Sequence, residues 1–329
     1  MKILVIGSNS FSGSNFIKEA LVQGFGIIAI SRSPEIPPIF RGYDKEKNLK
    51  NFEFHKLDLV KNSYEIAKIA SINSVEIIVN FAAQSMVAES WERPEDWYAT
   101  NCVGLSSLVK FLMELKVPLK KFIQFTTPEV YGSTQGWITE NFNFNPTTPY
   151  AISRAAGDMH LKAMQEIQNF PVIFTRTANV YGETQLLYRI VPKTIMHVLN
   201  NKKINLHGGG LSERSFIHVT DVSDALIRLL KNGEVGSTYH ISTKSKTTIK
   251  DLVEMILSRM DCQDRNLLEI AEERPGKDQF YLLDSTKIRK ELQWEDKVSL
   301  MEGIDRVVEW ATINQKKLSQ VSTSYQHRS

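Results

Sequence analysis

Short apolar runs alternate with longer amphipathic stretches from the second residue onward, and that rhythm predicts a parallel α/β fold. Lys2 to Ile6 is a β-branched run ending at Gly7, and Ser14 to Gln23 repeats its apolar residues at helical spacing. Ile27 to Ile30 reads as a second strand, Phe52 to His55 as a third and Ser63 to Ala70 as a helix. The fourth strand, Ile77 to Phe81, reads as buried by composition, apolar except at Asn80. A long helix is expected over Pro94 to Lys116, a strand over Phe122 to Phe125, a helix from Tyr150 to Ile167 and a strand over Val172 to Thr175. No repeat of fixed period interrupts these units, so the first half reads as a doubly wound parallel sheet.

Beyond Thr175 the rhythm loosens. Pro192 to Asn200 and Asp221 to Leu230 are helical in pattern, Gly208 to Gly210 is a turn, and Arg214 to Val219 is strand-like. Thr248-Ile249-Lys250-Asp251 resembles a capping box ahead of the apolar Leu252 to Leu257. The expected division is a dinucleotide-binding domain over 1–175, with 211–236 returning to it. A smaller, mixed α/β C-terminal substrate domain takes 176–210 and 237–312, and a polar, frayed tail runs from Gln315 within 313–329.

Composition narrows the function classes. The 329 residues are 42% hydrophobic and 23% charged, with 40 Lys and Arg against 37 Asp and Glu, which implies no basic face for nucleic acid. The longest apolar runs are too short to span a bilayer, and the start lacks the apolar core of a signal peptide. Two cysteines without CxxC spacing, and seven scattered histidines, argue for a reducing cytoplasm and against a metal site.

The chemistry sits at the strand tips. Gly7-Ser8-Asn9-Ser10-Phe11-Ser12-Gly13 between a strand and a helix is the arrangement that brings backbone N–H groups and a positive helix end to a pyrophosphate. The second strand ends in Ser31-Arg32-Ser33 with no acid for a ribose 2′-OH, and Arg32 suits a 2′-phosphate, which favours NADP over NAD. Asp58 and Leu59 are placed to border the adenine. Ala82 and Ala83, ahead of Gln84, allow a cofactor to lie close or a helix to pack. Asn101 in the long helix either braces the active-site loop or is a satisfied core residue. Thr126, Thr127 and Glu129 follow the fifth strand, where ligands of open parallel sheets bind. Tyr150 and Arg154 are four apart on one helix face, and a cation beside a phenol lowers its pKa toward the working range. Arg176, Arg189, Arg214 and Arg274 are suited to converge on a diphosphate.

Assembled, these stretches resemble an extended short-chain dehydrogenase/reductase, and most closely the nucleotide-sugar 4,6-dehydratases, over residues 1 to about 312. The Gly7 to Gly13 turn, Thr127-Pro128-Glu129-Val130-Tyr131-Gly132, Thr148-Pro149-Tyr150, Asn179-Val180-Tyr181-Gly182, Arg214 to Val219 and Arg274-Pro275-Gly276-Lys277-Asp278 carry the likeness. It implies a Rossmann-like sheet, a nucleotide-diphosphate sugar as substrate and a homodimer built on two long helices per subunit. It further implies that Thr127 positions the sugar O4, Tyr150 takes the O4 proton, Arg154 stands where the family has Lys, and Glu129 takes the C5 proton. Gln84, Asn179, Arg189, Arg214 and Arg274 match substrate-binding positions, while Gly7, Ser10, Phe11, Gly13, Thr126 and the tip residues above match cofactor-binding ones. Where dTDP-glucose dehydratases carry an acidic Asp before the Glu, this chain has Pro128; GDP-mannose dehydratases carry a small hydroxyl residue there. The alternatives are a C4 epimerase or oxidoreductase, which leaves Glu129 idle, and a protein that binds both ligands without catalysis.

Overall fold

A computed structural model describes residues 1–43, 50–134, 136–272 and 281–327 of the chain. Its centre is a seven-stranded, all-parallel sheet. Five strands come in the expected order: β1 (Lys2–Ile6), β2 (Gly26–Ser31), β3 (Phe52–Lys56), β4 (Ile77–Asn80) and β5 (Lys121–Thr126). Across the sheet the sequence is Thr238–Ile241, Val172–Thr177, β5, β4, β1, β2, β3. The edge strand Thr238–Ile241 lies in the stretch expected to belong to the substrate domain; it pairs instead with Val172–Thr177. Its four residues are all buried, which pairing on one side and packing on both faces explains.

Strand residues alternate between two cores, as a period of two requires. Ile3, Val5, Ile27, Ala29, Ile77 and Val79 face α1 (Phe11–Val22) and the later helix Val219–Asn232. Leu4, Ile6, Ile28, Ile30 and Ile78 face α2 (Ser63–Ile72) and a helical run further along. That run is the long helix expected over Pro94–Lys116, but it is three joined pieces: α3 (Pro94–Tyr98), a π-helical turn over Ala99–Gly104, and α4 (Leu105–Glu114). Leu108 and Leu112 of its apolar stripe point at the sheet and Val103 stays exposed, so the stripe is mostly core.

α5 (Pro149–Gln168) starts where local chemistry dictates. Thr148 Oγ1 accepts the Ala151 N–H at 3.1 Å, and Pro149 occupies the first helical position, where its missing N–H costs nothing. Asn169 closes the helix in the left-handed region.

After Val172–Thr177 come α6 (Ile190–Leu199), α7 (Val219–Asn232), α8 (Ile249–Arg259), α9 (Thr286–Leu292) and α10 (Leu300–Ile313). A third core, with Tyr181, Leu187, Val191, Ile195, Phe216, Leu252 and Ile304, joins α6, α8 and α10 into the second layer around strand pairs 204–207 with 268–271 and 179–181 with 216–218. The other two, α7 and α9, lean on the main sheet's side. Thr248 caps α8 as its capping-box pattern predicts, accepting the Asp251 N–H at 3.0 Å. The tail is not frayed where it begins: α11 (Gln315–Leu318) buries Leu318 completely.

His240, on the edge strand, ties the sheet to the loop that carries Glu129. Its Nδ1–H donates to the Asp284 carbonyl at 3.1 Å, and Nε2 accepts from Tyr131 Oη at 2.9 Å. Burial, with Arg176 nearby, pushes its pKa from 6.5 to about 3. The folded state therefore keeps this ring neutral while the unfolded chain takes up a proton below pH 6.5, so stability falls as pH drops through that value toward 3. Urea unfolding at pH 7 and pH 5 should show a loss of about 2 kcal/mol, and His240→Gln should flatten that slope.

Candidate active site

A cleft of about 500 Å³ opens at the carboxyl ends of the strands, beside the reversal of strand order between β1 and β4. Ser10, Phe11 and Ser12 line it from the start of α1, Ala83 from the end of β4, Thr126, Thr127 and Glu129 from the end of β5, and Tyr150 and Arg154 from α5. Asn179, Arg189 and Arg214 line it from the second layer.

The glycine-bearing turn is shaped for a pyrophosphate. Gly7 has φ +80°, and a Cβ there would sit 2.5 Å from the Ala82 backbone nitrogen. Gly13 is pressed as closely, 2.6 Å from the Gly7 carbonyl oxygen. Only glycine allows this compression, which turns the α1 N-terminus toward the cleft. Ser10 caps α1, its Oγ accepting the Gly13 N–H at 3.0 Å. A dinucleotide fits such a cradle.

Tyr150, 6% exposed, sits in the first turn of α5. Burial pushes its phenol up, while Arg154, a hydrogen bond from Thr127 and Arg189 pull it down and Glu129 opposes them. The net shift is upward, so the expected lowering by Arg154 is outweighed: desolvation of a buried phenolate exceeds one neighbouring cation. Arg154 is itself buried and donates from Nη2 to the Phe125 carbonyl, which holds the guanidinium against the β5 tip. Thr127 caps the short 3₁₀ turn Pro128–Tyr131, Oγ1 accepting the Glu129 N–H at 3.3 Å, and so aims Glu129.

Asn101 is the brace, not a bystander. It accepts the Gln84 N–H at 2.9 Å, donates to the Gln84 carbonyl at 3.0 Å and donates to Ser153 Oγ at 2.9 Å. Ser153 in turn donates to the Tyr150 carbonyl at 2.7 Å, so one side chain registers the β4 loop against α5. The π turn that carries Asn101 is the kind of helix irregularity found at functional sites. α5 approaches it through Gly157, where a Cβ would lie 2.4 Å from the Asn101 carbonyl oxygen. Gly157→Ala is expected to lower stability by about 1–3 kcal/mol, read from the urea midpoint, and to depress activity with it.

Several predicted site residues are set back from the cleft lining. Gly7, Gly13 and Ala82 form the turn rather than the cleft wall. Asp58 Oδ1 accepts the Val60 N–H at 2.7 Å and Leu59 is buried against Gly104, so both build the turn after β3 and neither lines the cleft. Ser31 and Arg32, at the β2 tip, and Gln84, held by Asn101, are outside the lining as well. Arg176 does not join a diphosphate cluster. It is fully buried, 3.3 Å from Asp158, with the Tyr131, Phe142 and Phe144 rings 5.0–5.3 Å from its guanidinium. An Arg on a central strand points into a core, not along the strand to its tip. Arg274 lies outside the described residues.

One residue had no signal in the sequence. Tyr281 lines the cleft, donates to Asn179 Oδ1 at 3.3 Å, carries the Arg214 guanidinium 4.2 Å over its ring, and feels the charges of Glu129 and Tyr150. Burial pushes its phenol up to about 12. Ser85 was missed too; Arg189 Nη2 donates to its Oγ at 3.2 Å. Among the described residues no group of three or more His, Cys, Asp or Glu is gathered as metal ligands, and no helix is long and apolar enough to cross a membrane.

A family model described as GDP-mannose 4,6 dehydratase matches residues 4–307. Human dTDP-D-glucose 4,6-dehydratase is 31% identical over 317 residues, covering 94% of this chain and 89% of the relative. DesIV, a dTDP-glucose 4,6-dehydratase from Streptomyces venezuelae solved with NAD and TYD bound, aligns at TM-score 0.85 and 26% identity, covering 96% of this chain and 98% of that one. UDP-glucose 4-epimerase from Thermotoga maritima, solved with UDP-glucose, aligns at TM-score 0.86 and 26% identity, covering 96% of this chain and 100% of that one.

Proposed function

The chain belongs to the GDP-mannose 4,6-dehydratase family and is a nucleotide-sugar 4,6-dehydratase, and we propose that Tyr150, Thr127 and Glu129 perform its proton transfers with NAD as the hydride carrier. The observation that carries the assignment of roles is the gathering of these three side chains in one cleft with Arg154 behind them and Arg189 and Arg214 opposite.

When bound, the dinucleotide supplies the hydride chemistry, accepting hydrogen from C4 and returning it to C6. The chain supplies the rest. Thr127, hydrogen-bonded to Tyr150, holds the sugar O4 at the phenol, and Tyr150 takes its proton. The new C4 ketone acidifies C5, whose proton Glu129 removes. The 6-hydroxyl then leaves as water. Pro128 has no proton to give, so Glu129, carrying the proton from C5, is the group that hands it to the departing oxygen. Hydride return at C6 is matched by a proton from solvent at C5, and Tyr150 releases the O4 proton to solvent. Arg189, Arg214 and Asn179, with Tyr281 as an added donor, hold the diphosphate, for which planar guanidinium groups are suited.

NAD replaces the earlier preference for NADP. That preference rested on Arg32 alone, whereas the dehydratase DesIV was solved with NAD, and Arg32 exerts its field on Tyr325 rather than standing apart. Two unpaired cysteines suit a cytoplasmic setting. The exposed Val103, Ile152 and Met159 suit a homodimer through this helical side.

Incubation of the protein and NAD with dTDP-glucose, UDP-glucose and GDP-mannose in turn tests the proposal. Mass spectrometry should find the loss of water and a 4-keto-6-deoxy product from one of them. Interconversion at C4 without loss of water would overturn these roles, since it leaves Glu129 idle.

A further inference from the structure

The segment after α11 reaches from α6 to α3, and its half-buried residues repeat every second position. Thr323, Tyr325 and His327 are half-buried, while Ser322, Ser324 and Gln326 are exposed. Each inward residue has its own anchor. His197 of α6 donates from Nδ1 to the Lys203 carbonyl at 2.6 Å, which leaves Nε2 to accept from Thr323 Oγ1 at 3.2 Å. Tyr325 meets the Tyr188 ring edge-on at 5.2 Å. His327 stacks on Trp97 at 5.0 Å and 14°, and its Nε2–H donates to Asp96 Oδ2 at 2.7 Å.

These anchors lie on opposite sides of the cleft. His197 and Tyr188 line it from the second layer, whereas Asp96 and Trp97 belong to α3, beside the main sheet. Between them Tyr325 lies within the fields of Arg189, a cleft residue, and of Arg32, at the β2 tip where the sheet topology brings the adenosine ribose.

We propose that Thr323, Tyr325 and His327 complete the dinucleotide site as a strap across its mouth, with Tyr325 walling the adenosine end and slowing cofactor exchange. The inference rests on the dehydratase reading, which gives such a strap its use. The reaction returns the hydride to the sugar it came from, so the cofactor ends each turnover in its starting state and need not leave. A strap that would throttle an ordinary dehydrogenase is therefore compatible with turnover here.

The test is the release rate of NADH, followed by fluorescence on mixing the loaded protein with excess NAD. Three proteins are compared: the intact chain, Tyr325→Ala, and a chain ending at Gln320, which keeps the buried Leu318. Both variants should release NADH about tenfold faster, equivalent to about 1.4 kcal/mol. Tyr325→Phe should release at nearly the intact rate if the ring is what counts. Unchanged release from Tyr325→Ala, with folding verified by circular dichroism, would overturn the strap while leaving the dehydratase assignment standing. Failure of the intact chain to bind NADH would remove both.

Discussion

Glu129→Gln is expected to stop the reaction after C4 oxidation, with dehydration falling by about 10²–10⁴, the usual worth of a positioned base. Glutamine keeps the shape and the N–H contact of the 3₁₀ turn that Thr127 caps, so the loss reports chemistry rather than folding. The substituted protein should still oxidise its sugar nucleotide and accumulate reduced cofactor, because Tyr150 and Arg154 are untouched. Exchange of the C5 hydrogen with deuterated water should disappear in parallel. Glutamine at full dehydration speed would mean that another group removes the C5 proton. Loss of water is the step that separates this reading from C4 epimerisation, which has no use for Glu129.

Tyr150→Phe is expected to cut kcat by about 10³ while substrate and cofactor affinities move less than about threefold, since the ring and its packing remain. The pH behaviour of the unaltered protein carries more information. In the proposed mechanism the phenolate is the working base, and burial holds the phenol above its ordinary range. The active form is therefore scarce at neutral pH, and kcat/KM should climb as the solution is made more alkaline. Arg154 pulls the other way, so Arg154→Met should displace the climb to higher pH still. Arg154→Lys restores the charge and should bring it back, though without the bond to the Phe125 carbonyl that the planar guanidinium makes. A profile identical in Arg154→Met and the parent would detach the arginine from the phenol.

The departures from expectation share a physical origin. Thr248 announced the helix start it caps, because a cap acts over three residues. Arg176 looked like a phosphate ligand and Tyr281 like nothing in particular. The first is swallowed by aromatic rings from the loop after β5, and the second meets Asn179 across a separation of 102 residues. Tyr150 was correctly paired with Arg154 by spacing, yet the sign of its shift was misjudged. Spacing supplies the neighbour, whereas desolvation depends on everything else packed around the ring. The last residues read as polar and loose for the same reason, since their partners on α3 and α6 are far away in the chain.

Residue order alone was enough for the parallel sheet, the glycine-bearing turn after β1, the helix that opens at Tyr150 and the capping box before α8. Each is written in period, cap or steric allowance over a few neighbouring positions. Folding alone decided that the edge strand comes from Thr238–Ile241, that Asn101 locks the Gln84 loop to α5, that Tyr281 lines the cleft and that Tyr325 packs on Tyr188. Those outcomes depend on which distant surfaces meet, and burial, not sequence neighbourhood, sets the energy of the charges they enclose.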